Sequence, residues 1–111
     1  MIRLMPFACA ALALAAPALA EEPSTANHAE TRLRGCLQAG SSAVTRKDLQ
    51  GAVIEVRAYC GAQINRVRKQ RVAVATQGLE GEEARIAEDR AVRALNREIA
   101  WAVANFTGLS Q

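Results

Sequence analysis

The sequence predicts an all-α chain: a small three-helix domain in which a long antiparallel helical hairpin is tied by a disulfide to a shorter N-terminal helix, preceded by a cleaved signal peptide. Three observations carry this. All three prolines, Pro6, Pro17 and Pro23, come before Ser24, so nothing after them breaks a helix by losing its amide. No two-residue alternation flanked by turn dipeptides occurs, which argues against strands. Apolar residues recur instead at helical spacing along two long segments that glycines punctuate.

The first 20 residues form a separate object. Arg3 is their only charge, an apolar run leads from Phe7 to Ala20, and Ala18-Leu19-Ala20 before Glu21 and Glu22 has the small-x-small pattern of a leader cleavage site. The run is broken by Pro17 and falls short of the ~20 apolar residues that a bilayer span needs. Cleavage after Ala20 is therefore expected, Cys9 leaving with the leader. The arginine-rich, alanine-rich composition resembles high-GC bacterial coding, so the expected destination is the periplasm or the medium. Residues 21–27 read as a disordered tail and 28–111 as one helical domain.

Helix one is expected over 28–45, Asn27 and Glu30 forming a capping-box-like start. Helix two follows over 49–77, with Asp48 as N-cap and Gly78 as C-terminal stop. Helix three spans 80–107, its acidic Glu80, Glu82 and Glu83 suited to the positive end of the helix dipole.

A tight turn between helices two and three sets their register. Val53 then falls opposite Phe106, Val56 opposite Val103, Cys60 opposite Ile99, Ile64 opposite Leu95 and Val67 opposite Val92. The next layer holds Arg71 and Glu88, opposite charges within apolar stripes. They are expected to form a structural polar layer.

Export leaves Cys36 and Cys60 as a pair in an oxidising compartment, and a single disulfide is the default. Both lie at similar distances from a turn at Arg46, Lys47 and Asp48. Gly35 and Gly61 beside them would let the backbones approach. For a ring of about 25 residues, loop entropy assigns the bridge roughly 3 to 4 kcal/mol, a large share of a domain this small. Helix one is short on this reading, covering the turn-proximal half of helix two without reaching Arg66 to Arg71.

Little in the chain carries catalytic chemistry. His28 is the one histidine, so no Ser, His, Asp constellation can be built. No C-x-x-C redox pair, haem-attachment motif, structural-zinc ligand set, calcium loop or phosphate-binding loop is present. No enzyme activity, cofactor or metal is expected. The 14 Lys plus Arg against 11 Asp plus Glu give a net +3, and loss of Arg3 with the leader leaves +2, too small a surplus to suggest a nucleic-acid partner.

Two features remain for function. Arg66, Arg68, Lys69 and Arg71 form a basic segment at the distal end of helix two, facing acidic residues across the turn. Trp101 lies off the centre of its stripe, on the flank carrying Ala87, Ala91 and Ala94. Either helix one docks there or the indole is an exposed anchor. The expected function is that of a structural or protein-interaction module of the bacterial envelope, with an unidentified envelope protein contacting Arg66, Arg68 and Lys69. The alternative is an anionic lipid or lipopolysaccharide surface bound through residues 66–71.

Overall fold

The computed structural model describes the backbone of residues 17–110 and the side chains of 27–110. It is all-helical, with no strand among these residues. Four helices follow in order: α1 Pro17–Ser42, α2 Leu49–Tyr59, α3 Gly61–Ala75 and α4 Gly81–Thr107. Most of the expected leader, residues 1–16, lies outside the described part.

α1 extends further toward the N terminus than expected. Residues 21–27, read as a tail, are helical. The stretch from Pro17 to Arg34 contains no glycine, and its alanines and glutamates are good helix formers, although Pro23 withholds one amide from the helix. Asn27 and Glu30 therefore cap nothing; they lie inside the helix. At the other end α1 stops at Ser42, short of the expected residue 45.

The loop from Ala43 to Lys47 is closed by a residue of α2. Glu55 accepts hydrogen bonds from the Thr45 amide at 3.1 Å, the Thr45 hydroxyl at 2.9 Å and the Arg46 amide at 2.7 Å. The Thr45 amide above all holds its carboxyl below the ordinary range. Asp48 caps α2 as expected, its Oδ2 accepting from the Gly51 amide at 2.8 Å.

The expected single helix over 49–77 is two helices, interrupted at Cys60, where φ is −103° and ψ is 18°. The bonds from Cys60 N to Val56 O and from Ile64 N to Cys60 O persist on either side, so α2 and α3 act as two segments of one rod. Gly61, a poor helix former, follows the interruption. Gly78 in the turn to α4 has φ +71°, and Gly81 at the start of α4 has φ +59°. This left-handed backbone suits glycine, as expected of the helix stop at Gly78.

Cys36 and Cys60 form the disulfide, with Cα atoms 5.8 Å apart. The glycine that permits this approach is not one of those beside the cysteines, since a Cβ on Gly35 or Gly61 would meet nothing within 4 Å. It is Gly40. A Cβ there would stand 3.0 Å from Tyr59 Cδ1, 3.4 Å from Val56 Cγ1 and 3.7 Å from the Cys60 sulfur.

The core gathers one stripe from each helix. Ala29, Leu33 and Leu37 of α1 meet Ala52, Val56, Cys60, Ile64 and Val67 of the central rod and Leu95, Ile99 and Val103 of α4. Steps of four or three residues keep each stripe on one face. Val53 and Val92 of the expected layers are only half-buried, and Phe106 is 41% exposed. Gly108, at φ +73°, turns the chain so that Leu109 packs on the core beyond the last turn of α4.

Candidate interaction surfaces

Arg71 sits where three helices meet, and its partners are not the expected one. Its Nε and Nη2 donate to Glu30 Oε1 of α1 at 3.0 and 2.6 Å. Nη1 and Nη2 reach Glu98 of α4 at 2.5 and 2.9 Å. Glu88 is exposed and takes no part. The reason lies in how helical side chains lean, back toward the N terminus of their own helix. On α3 that direction is away from the hairpin turn, and on α4 it is toward it. Arg71 and Glu88 diverge, whereas Arg71 and the more distant Glu98 converge.

The same contact corrects the reach of α1. Glu30 lies inside the expected span 28–45, but six residues from Cys36 fall short of the eleven from Cys60 to Arg71, and the two long side chains close the difference that backbone levels leave open. Bonding to Arg71 holds the Glu98 carboxyl below its usual range, and Glu98 in turn raises the Arg71 guanidinium. A small groove of about 240 Å³ adjoins this cluster, floored by Leu33, Leu37, Leu95 and Ile99. The partners were legible in part: Glu30 adjoins Ala29, and Glu98 lies between Leu95 and Ile99.

Beyond this cluster the core ends. Val67 is the last buried residue of α3 and Leu95 the first of α4. The hairpin end between them exposes Val74, Leu79 and Ile86. Arg68 and Lys69, just past Val67, are exposed, as is Arg66 just before it, and Arg68 donates to Asn65 at 2.5 Å. Among the described residues none of the three forms an ion pair with the acidic start of α4. Instead Glu82 binds Arg85 at 2.5 Å and Asp89 binds Arg93 at 3.0 Å, within one helix. Arg85 holds the Glu82 carboxyl below its usual range.

Trp101 is 74% exposed. α1 does not cover it, so the reading in which helix one docks on that flank is not what the fold adopts. The indole lines a shallow groove of about 510 Å³ with Ala94, Arg97, Glu98, Ala102 and Asn105, all on α4. A larger groove of about 610 Å³ lies at the opposite end of the molecule from the hairpin turn, lined by Leu49, Val53, Ile54 and Ala100 among others.

His28 is exposed. Among the described residues no three His, Cys, Asp or Glu side chains are grouped to hold a metal ion, and no helix is long and apolar enough to cross a membrane. Comparison of the chain with protein-family models, curated proteins and solved structures returns no match.

Proposed function

We propose that this is an exported protein of a bacterial envelope, processed after Ala20, that works as a protein-interaction module through the distal end of its α3–α4 hairpin. The observation that carries this reading is where the core stops. Between Val67 and Leu95 the chain builds a hairpin with no fully buried residue, yet exposes Val74, Leu79 and Ile86 among charges of both signs. Such a mixture suits the core and rim of a modest protein contact. Cleavage after Ala20 also fits the helix, because it would bring Pro23 into the first turn of α1, where a missing amide costs nothing.

Affinity capture from the host's own envelope tests it. The mature protein is compared with Arg68→Glu/Lys69→Glu and with Trp101→Ala, all three checked by circular dichroism. Loss of a captured protein from the charge-reversed variant alone supports the reading. Retention there, with loss on Trp101→Ala, would move the site to α4. A second reading, contact with an anionic envelope surface, draws on Arg66 and Lys69, which have no acidic partner among the described residues. It requires binding to anionic vesicles that weakens as salt shortens the Debye length.

A further inference from the structure

We propose that the protein associates with a second copy of itself through the Trp101 face of α4, antiparallel and two-fold, with the axis passing between Arg97 and Glu98.

Among the described residues Trp101 is the most exposed large hydrophobic side chain, and its groove is formed by α4 alone. Ala94 lies seven residues before it, nearly two turns, and so on the same side of the helix. A two-fold contact uses one patch twice, so every contact must be matched by its reciprocal. About an axis between Arg97 and Glu98, Trp101 of one copy falls opposite Ala94 of the other, a large side chain over a small one. Arg97 falls opposite Glu98, and Arg90 opposite Asn105. Each pairing is complementary in size, charge or hydrogen bonding.

Neighbouring arrangements lose this match. An axis through Arg97 sets that residue against itself and puts Arg93 under the indole. An axis through Glu98 sets two carboxylates face to face. Parallel packing pairs Arg97 with Arg97. The self-complementary pattern of Trp101 with Ala94 and Arg97 with Glu98 points to a second copy, and these mismatches fix its register. Glu98 already accepts from Arg71, but its side chain is 56% exposed, and a carboxylate has about four acceptor positions. It has room for Arg97 of the second copy.

A single-helix contact buries less than the ~800 Å² per partner of a standard interface, so the dimer is weak. Tryptophan at its centre supplies the anchor. Because the two α4 helices run antiparallel, the dimer directs its two hairpin ends in opposite directions. The proposed distal contact would then be displayed twice.

Sedimentation equilibrium of the mature protein from about 10 μM to about 1 mM, the range suited to weak contacts, provides the test. The chain has one tryptophan, so its fluorescence reports the same event. The weight-average mass should climb toward twice the monomer while the emission moves to shorter wavelength. Trp101→Ala and Ala94→Glu, each keeping the native circular dichroism, should raise the dissociation constant by about tenfold or more, worth about 1.4 kcal/mol or more. Arg68→Glu/Lys69→Glu should leave it unchanged, which separates this proposal from the distal one. A monomeric mass at the top concentration would overturn it. So would a dimer indifferent to Ala94→Glu, or one dissociated only by the reversal at Arg68 and Lys69.

Discussion

Arg71 of α3 and Glu98 of α4 are joined by two hydrogen bonds, at 2.5 and 2.9 Å, although Glu88 is the acid nearest its level in the hairpin register. With Glu30, the pair ties three helices at the place where the apolar core ends. Removing Arg71 leaves the half-buried Glu30 carboxylate and the more exposed Glu98 carboxylate without their shared partner. Arg71→Leu should therefore cost about 1 to 3 kcal/mol, and Glu88→Leu should stay within about 0.5 kcal/mol of wild type. Urea unfolding in double-mutant cycles should give coupling of roughly 0.5 to 2 kcal/mol for Arg71 with Glu98 and none for Arg71 with Glu88.

The cluster also sets a pH dependence. Bonding to Arg71 depresses the Glu98 carboxyl in the folded state, below its unfolded value of about 4.3. Its stabilising contribution is therefore fully present above that unfolded value and is lost as pH falls through the lower folded value. Glu55 and Asp48 are depressed in the same sense, by the Thr45 and Gly51 amides. Melting temperature should drop on acidification below about pH 4, and the drop should be shallower in Glu98→Gln.

Four small residues around the disulfide respond differently to substitution. Gly35→Ala and Gly61→Ala meet open space and should stabilise by up to about 1 kcal/mol through helix propensity. Gly40→Ala should be less stable than Gly35→Ala by about 1 to 2 kcal/mol, because its Cβ crowds Tyr59, Val56 and Cys60. The Ser41 hydroxyl is buried with no hydrogen-bond partner, so Ser41→Ala should be neutral or stabilising by about 1 kcal/mol. Thermal melts of the four variants check the order.

The disulfide joins α1 to the break between α2 and α3 across a sequence separation of 24. Unreduced protein comprising residues 21–111 should weigh two hydrogens less than its thiol form. Cys36→Ser/Cys60→Ser should lose about 3 to 4 kcal/mol by loop-entropy arithmetic. Two freely alkylated thiols in native protein would exclude the bridge.

What could be read in the chain depended on how far each feature reaches. Asp48 and Gly78 were legible because caps and left-handed turns are local chemistry. The stripe from Val56 to Val67 and from Leu95 to Val103 was legible because residue spacing alone sets it. Arg71 was recognised as a charge needing an acid, but its partner depends on side-chain lean, which Cα register omits. Gly40 went unnoticed because its constraint comes from the crossing of α1 over Cys60, not from its neighbours in sequence. Glu55 reads as an ordinary helical carboxylate until the Thr45 loop folds back onto it. Trp101 remained ambiguous because stripe geometry gives a direction and not what stands there.

Native-state hydrogen exchange of residues 21–111 tests most directly whether the distal hairpin is built for a partner and not for an internal core. Amides around Cys60 and Ile99 should be protected to nearly the full unfolding free energy. Those of the segment between Val67 and Leu95 should exchange through local opening at distinctly lower protection. Protection across that segment equal to that at Cys60 and Ile99 would show that the hairpin end belongs to the cooperative core, and would contradict its assignment as an unpartnered contact surface.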